Sequence, residues 1–186
     1  PRNEDGSGGY IPDSLTHEFK TAHGRTVRDG GGITADVTIE GHDYSRLTYS
    51  LVYSGIIQEY ALDFVRSHDS AEEDFHLADK DWDGFVAFAK TKEFDYRSSA
   101  KTYFDRMKKE LEKDGLSKNM SAELDALQKA LEMDKETFLK LKKDEIVPFI
   151  EEEIAVRYHF QEAGIKIRLR YDDQLKKALA SPMIEI

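Results

Sequence analysis

Three aspartates at alternating positions make the first candidate for a ligand site. Asp79, Asp81 and Asp83 supply carboxylate oxygens at the spacing with which an EF-hand calcium loop begins. Gly84 follows where such a loop turns, but the twelfth position, normally a bidentate glutamate, is Lys90. A calcium-responsive module is therefore one hypothesis. We favour the alternative, in which these carboxylates cap the start of a helix.

A serine and a lysine three residues apart form a second candidate. Within one helical turn, Ser98 and Lys101 could bring a lysine amine to a serine hydroxyl, as in penicillin-binding enzymes. The other motifs of that class are missing from the sequence. Lys101 is expected on the polar side of an amphipathic helix, where a protonated amine is a poor base. We expect no catalytic role for this pair.

Histidines offer two further candidates. Ser67, His68 and Asp69 are the residue types of a catalytic triad, but adjacent residues cannot point their side chains at one another in relay geometry. This run is expected to be the end of a helix. No second ligand stands at metal spacing from His159, so it is expected to be a half-buried packing residue. The sequence thus predicts no catalytic, cofactor-binding or metal-ligating residue in this chain.

The composition is that of a folded acidic protein. With 186 residues and 39% hydrophobic content, the chain can form one sizeable core or two small ones. No apolar run approaches the roughly 20 residues that span a bilayer. The formal net charge of −10 argues against a nucleic-acid partner, which requires clustered positive charge. Because cysteine is absent, disulfides and thiolate metal sites are excluded.

From Tyr44 onwards, apolar residues recur with the period of amphipathic helices. The first predicted helix has apolar residues on two sides and is the candidate central element. Pro148 is expected in the first turn of the longest helix, where its missing N–H costs least. The predicted helices cover residues 45–67, 80–90, 98–114, 122–131, a short segment capped by Asp134, 144–163 and 173–180, with a short strand or extended piece at 165–170.

The segment before these helices is rich in β-forming residues and glycine. Gly24 can adopt the positive φ of a tight turn between two extended segments, one around Phe19 and the other from Thr26 to Arg28. This pattern predicts a β-hairpin. A triple glycine then precedes a further predicted strand, Asp36 to Ile39.

The order of these features resembles the end of the catalytic core of C-terminal processing peptidases, also called tail-specific proteases. The resemblance rests on an extended segment with Gly24 and Arg25, followed by Gly32, Ile33 and, three residues later, Asp36. In that family a hairpin with a Gly-Arg turn leads into such a segment downstream of the nucleophilic serine and its lysine base. The five positions are expected to be structural, and none is assigned a catalytic role.

The run from Glu153 to Phe160 is similar to a helix near the end of the larger tail-specific members. The resemblance implies a serine endopeptidase that cuts substrate proteins near their C-termini. Its Ser/Lys dyad and its peptide-binding PDZ module would precede Pro1. It also implies a location in the periplasm or at the cell envelope. This chain alone is expected to be inactive.

The expected fold is mostly α (α+β in detail): a flexible segment at 1–13, a β remnant of the peptidase core at 14–41 and a helical domain at 42–186. Expected partners are protein or peptide substrates of the full-length enzyme. Because an edge strand without its neighbour can pair with another copy, self-association through residues 16–39 is a further expectation. The alternative from another class is a free-standing acidic helical protein-interaction domain.

Overall fold

The computed structural model describes residues 11, 13–29, 39, 41 and 43–180. The fold is mostly helical, as the sequence predicted. Two units are distinguished: residues 42–175 form one, and residues up to 41 together with those from 176 form the other. The elements are a 3-10 turn Asp13–Leu15, strands β1 (Glu18–Lys20) and β2 (Thr26–Arg28), helices α1 (Arg46–Tyr53), α2 (Ile56–Ser67), α3 (Asp79–Lys90) and α4 (Ser99–Lys113), a 3-10 helix Ser117–Met120, and helices α5 (Ser121–Leu131), α6 (Lys135–Leu141), α7 (Lys143–Tyr171) and α8 (Asp173–Ala180).

Strands β1 and β2 form the predicted hairpin. They pair in antiparallel fashion with Phe19 opposite Val27. The turn closes through a hydrogen bond of 2.9 Å from the Gly24 amide to the Thr21 carbonyl. Gly24 has a φ of +80°, which a residue without a Cβ adopts without strain. The hairpin prediction is therefore confirmed.

The segment after the hairpin is described only in part. Of the predicted strand Asp36 to Ile39, only Ile39 is among the described residues, and it is not in a strand. Gly32, Ile33 and Asp36, three of the five positions behind the family resemblance, lie outside the described residues, as does the triple glycine.

Helix α2 is the centre of the helical unit and packs against α1, α3 and α7. Its Ile57 and Ala61 are fully shielded from solvent. The predicted single helix at 45–67 is wrong, because Ser54 and Gly55 separate α1 from α2. Gly55 adopts a φ of +74°, which ends the α-helical hydrogen-bond ladder and redirects the chain.

The termini of the next helices follow the predicted capping pattern. Gly115 has a φ of +72°, and the amide of Leu116 donates to the carbonyl of Leu111 at 2.9 Å, which closes α4 next to the end predicted at residue 114. At the start of α6, Asp134 accepts a hydrogen bond of 2.9 Å from the amide of Thr137. This predicted N-cap is also confirmed.

Helix α7 doubles back on itself. Phe160 has the non-helical angles φ 65° and ψ −170°, and it separates two arms, residues 143–159 and 161–171. Arg168 in the second arm is ion-paired at 3.0 Å with Glu152 in the first. In a straight helix, about 1.5 Å of rise per residue would keep these two residues about 24 Å apart. The arms therefore run antiparallel.

Two predictions for this region are wrong. The first arm ends at His159 rather than at Ala163, and residues 165–170 are helical rather than extended. Alternation of Ile165, Ile167 and Leu169 indicated a strand, but only Ile167 is buried. Pro148 lies in the second turn of α7, one turn later than predicted. Of the described helices, none combines the length and apolar content needed to cross a bilayer.

Candidate functional site

Asp79, Asp81 and Asp83 lie within α3 rather than in a loop. Because a helix turns by about 100° per residue, alternate side chains point about 160° apart and cannot converge on one ion. Lys143 donates a hydrogen bond of 2.7 Å to Asp79, which lowers the pKa of that carboxyl. Across the described part of the chain, no group of three His, Asp or Glu side chains could hold a metal ion. The helical placement of these aspartates does not match the calcium loop of the hypothesis.

The favoured alternative was that these carboxylates cap the start of a helix. It is correct about their location but not about a capping hydrogen bond. Asp79 and Asp81 lie in the first turn of α3, where carboxylates are stabilised by the positive end of the helix dipole. Neither forms an N-cap hydrogen bond, because the N-cap position is occupied by Ala78.

Ser98 and Lys101 do not form a nucleophile and a base. The hydroxyl oxygen of Ser98 accepts a hydrogen bond of 3.0 Å from the backbone amide of Lys101 and so caps α4. The amine of Lys101 donates to Asp105 at 2.6 Å, one turn further along the helix. Both side chains therefore have structural partners, the Ser98 hydroxyl in the helix cap and the Lys101 amine in an ion pair.

The Ser67-His68-Asp69 run is the predicted end of a helix. The hydroxyl of Ser67 donates to the carbonyl of Asp63 at 3.0 Å. The ring of His68 stacks on that of Phe64, with centroids 3.9 Å apart. Contrary to the expectation for adjacent residues, the Ser67 hydroxyl oxygen also lies 3.1 Å from His68 Nδ1, although the same nitrogen is 3.0 Å from the Phe64 carbonyl oxygen. Among the described residues no hydrogen bond joins His68 to Asp69, so these contacts close α2 and do not extend to the third residue.

His159 is a half-buried packing residue, as predicted. Its Nε2 atom lies 2.6 Å from the carbonyl oxygen of Ala71. The preceding Tyr158 donates a hydrogen bond of 2.6 Å from its hydroxyl to the carbonyl of His68. Both side chains hold the segment after α2 against the first arm of α7.

A buried carboxylate, which the sequence analysis missed, lies in the first arm of α7. Glu151 is only 2% exposed. It accepts hydrogen bonds from the amide of Leu77 at 2.8 Å, from Arg170 at 2.9 Å and from the hydroxyl of Tyr171 at 2.8 Å. Its place beside Ile150 on the inward face of the helix was the sequence signal for this burial. Through these bonds Glu151 connects the first arm of α7 to the second arm and to the segment before α3.

A second carboxylate joins α7 to α1. Glu145 accepts hydrogen bonds from the amide of Ser45 at 2.8 Å and from the hydroxyl of Thr48, which is buried, at 3.0 Å. Lys142 also donates to it at 2.6 Å. Burial by itself would raise the pKa of Glu145, but these hydrogen bonds together outweigh it and lower the pKa to about 2. Glu145 is therefore ionised and structural at neutral pH.

A cleft of about 380 Å³ opens between the start of α4, the end of α5 and the start of α6. Two of its residues, Ser98 and Asp134, are the N-caps of α4 and α6. The backbone amide of Thr137 donates to Asp134 and is the main cause of the lowered pKa of this carboxyl. The apolar lining comprises Tyr96, Leu131, Met133 and Phe138, and the polar lining comprises Arg97, Ser98, Lys101, Glu132 and Asp134.

This cleft combines an apolar surface with charges of both signs. Such a surface can accept an apolar side chain of a polypeptide while charged groups at the edge contact its backbone or neighbouring side chains. Sequence patterns did not reveal the cleft, since three helices and a loop that are separate in the sequence contribute to it. The only signals were the predicted helix start at Ser98 and the predicted cap Asp134.

The fold defines a class: a multi-helix domain with an open cleft of mixed apolar and charged lining. A family model described as "Probable PDZ-protease, C-terminal helical domain" matches residues 47–181, more than half of the chain. The chain belongs to this family, and its helices are therefore those of a C-terminal helical domain of a probable PDZ-protease. The match supports the link to proteases without distinguishing C-terminal processing peptidases from other PDZ-proteases. No curated protein and no solved structure matches the chain.

Proposed function

We propose that this chain is the non-catalytic C-terminal part of a serine endopeptidase that processes proteins near their C-termini. In this proposal, the Ser/Lys dyad and the PDZ module lie in a part of the protein N-terminal to the chain. The main support is the family match over residues 47–181. The hairpin with Gly24 and Arg25 adds the resemblance to the end of a tail-specific peptidase core.

In the same proposal, the helical domain binds protein substrates rather than cutting them. The cleft between α4, α5 and α6 supports this role, because its apolar lining and mixed charges suit a polypeptide. We further propose that the protein acts in the periplasm or at the cell envelope. Cell fractionation with an antibody against the chain tests that location, and a purely cytoplasmic signal would reject it.

Cleavage by the longer protein tests the catalytic part of the proposal. The reading frame is extended upstream, the encoded protein is purified, and the products of a test substrate are identified by mass spectrometry. We expect products shortened at the C-terminus and complete loss of activity when the upstream serine is replaced by alanine. Cleavage that is abolished by a chelator and restored by a metal ion would reject the serine type.

The inactivity of this chain is tested separately. The purified chain should hydrolyse no fluorogenic peptide, and Ser98→Ala should change only stability, by about 1 kcal/mol through loss of the α4 N-cap. Peptide turnover that Ser98→Ala abolished would contradict the proposal.

The cleft also favours a second candidate function, a free-standing acidic helical domain that binds other proteins. The two candidates differ in what precedes the chain. A Ser/Lys pair in the upstream sequence supports the protease, and an unrelated upstream domain supports the interaction domain. Self-association through the strands of residues 16–39 is proposed in either case. Sedimentation of the chain with and without these residues tests it, and identical sedimentation coefficients after correction for mass would reject it.

A further inference from the structure

Helices α4 and α5 form an antiparallel pair, joined by the short 3-10 helix Ser117–Met120. We call residues 99–131 the α4–α5 hairpin. Lys108 donates a hydrogen bond of 3.1 Å to the side chain of Gln128, and this contact ties one helix to the other. Phe104 is the buried residue of α4, and Leu124 is that of α5. One buried side chain in each helix leaves most of the apolar surface of the pair open.

Both helices carry apolar residues at the same successive spacings of four, three and four residues. The two sets are Ala100, Phe104, Met107 and Leu111 for α4, and Met120, Leu124, Leu127 and Leu131 for α5 with the residue before it. Helices with this spacing pack in bundles, where neighbouring helices cover the whole set. Here the sets are covered only in part: Phe104 and Leu124 are buried, but Met107 and Leu127 are each 43% exposed.

The exposed members of the two sets lie on the same side of the hairpin. A residue three positions after another on a helix is turned by about 60° from it, always in the same sense. Because α4 and α5 run in opposite directions, these turns bring Met107 and Leu127 to one side of the pair. Tyr103, one turn before Met107, extends this surface and is 70% exposed. We call Tyr103, Met107 and Leu127 the open face.

The spacing of the open face fits a helical partner. Apolar residues at intervals of three and four are covered by side chains of a facing helix that insert between them. The open face is also separate from the cleft between α4, α5 and α6, because none of its three residues lines that cleft. A ligand in the cleft would therefore leave this surface uncovered.

The distribution of charge favours a second copy of the chain as the source of the facing helices. Residues 99–131 contain seven lysine or arginine and six aspartate or glutamate residues, a net charge of +1, whereas the whole chain carries −10. The excess of negative charge thus lies entirely outside the α4–α5 hairpin. Two copies repel each other through the rest of the chain, but not through their hairpins. Lys101 is moreover ion-paired with Asp105 at 2.6 Å.

We propose that the open faces of two copies pack against each other, so that the two α4–α5 hairpins form a four-helix bundle about a two-fold axis. Each copy supplies the two helices that the other lacks, and the same residues contribute from both sides. The flexible side chain of Met107 can fill gaps between the helices. The contact differs from association through residues 16–39, which involves no residue of the α4–α5 hairpin. It also goes beyond the proposed peptidase role and does not depend on it.

Sedimentation velocity of the purified 186-residue chain tests the inference. Helix α4 has 15 residues and is about 22 Å long, so the open face is small and the dimer is expected to be weak. We expect the weight-average sedimentation coefficient to rise with concentration, from that of one chain towards that of two, between roughly 10 and 500 µM.

Substitutions on the open face locate the contact. Met107→Lys and Leu127→Lys each place a charge where the two copies meet, and each acts twice in a two-fold interface. Each is therefore expected to weaken the dimer by at least about tenfold. Leu62→Lys is the matched control, because Leu62 is a 46% exposed leucine in α2, outside the open face. Unchanged circular-dichroism spectra establish that each variant is folded.

Three results would overturn the inference. A chain that stays monomeric over the whole concentration range would leave the open face to a helix of another protein. Undiminished association of both open-face variants would leave the strands of residues 16–39 as the contact. An equal loss in Leu62→Lys would show that added charge, rather than its position, prevents association. None of these results would alter measured cleavage by the longer protein, which tests the proposed protease separately.

Discussion

The hydroxyl of Tyr171 donates a hydrogen bond of 2.8 Å to Glu151, and this bond joins the two arms of α7 at the end away from Phe160. Burial, followed by the bond to Glu151, raises the pKa of Tyr171 to about 12. Arg170 donates to the same carboxylate oxygen at 2.9 Å, and the Leu77 amide donates to the other at 2.8 Å. A buried charge is tolerated when protein groups satisfy it in this way. One carboxylate thus holds three segments together.

Removal of Glu151 should strongly destabilise the helical unit. In Glu151→Ala, the Leu77 amide and the Tyr171 hydroxyl lose their acceptor, while Arg170 keeps Asp74 and the Phe75 carbonyl, so the free energy of unfolding should fall by about 2–3 kcal/mol. Urea denaturation followed by circular dichroism measures this change. Glu162→Ala is the control, because the Glu162 side chain is 80% exposed and its loss should change stability by no more than about 0.5 kcal/mol. Equal effects of the two substitutions would contradict the assigned role of Glu151.

Gly164 should not tolerate a side chain. A Cβ at this position would overlap a methyl group of Val156 in the facing arm, well inside van der Waals contact. We expect Gly164→Ala to lower the free energy of unfolding by about 1–3 kcal/mol, as other overpacked positions do. Differential scanning calorimetry measures the effect as a fall in Tm.

A double-mutant cycle identifies the cause. When Val156→Ala removes the facing methyl group, Gly164→Ala should become less destabilising. The control is Gly41→Ala, since a Cβ at Gly41 would meet no atom within 4 Å. If Gly164→Ala cost the same with either residue at 156, close approach of the two arms would not be the reason for this glycine.

Glycine in place of Phe160 should stabilise the chain. The φ of 65° and ψ of −170° at Phe160 lie in a region that is favourable for glycine and strained for other residues. The side chain is 79% exposed, so little packing is lost. After the conformational entropy of glycine is subtracted, Phe160→Gly should gain about 1 kcal/mol. Urea denaturation measures the gain; Phe160→Ala keeps the strain and should show none.

Stability should fall in acid partly because of Glu145. Its pKa of about 2 in the folded chain is below the ordinary value of 4.5, so the unfolded chain binds this proton first as the pH falls. The contribution, on the order of 3 kcal/mol, is therefore present above pH 4.5 and is lost between about pH 4.5 and pH 2. Glu145→Gln should remove that part of the pH dependence. Urea denaturation of both proteins from about pH 2 to 7 tests this, and parallel curves would contradict it.

Elements that depend on neighbouring residues were predictable. Helix α8 has the predicted bounds, Asp173–Ala180, and the N-cap at Asp134 and the stop at Gly115 are where local rules place them. These features depend on backbone conformations and hydrogen bonds within a few residues. The same local rules identified Ser98 as part of a helix start rather than as a nucleophile.

Elements that depend on distant partners were not predictable. Continuous apolar spacing from residue 45 to 67 concealed the break at Gly55, since isolated glycines are also tolerated within helices. The reversal at Phe160 opposes the local preference of that residue. The reversal occurs together with contacts between the two arms of α7, including those of Glu151 and Gly164.

The sequence by itself determined the acidic mostly helical class, the hairpin turn at Gly24 and the caps of several helices, because hydrophobic period, charge and turn chemistry act over short distances. Only the tertiary structure decided that α7 doubles back, that Glu151 is buried, and that a cleft is formed. Those features join residues that are far apart in the sequence, such as Leu77 and Glu151. Their position depends on how the helices pack, which no local pattern specifies.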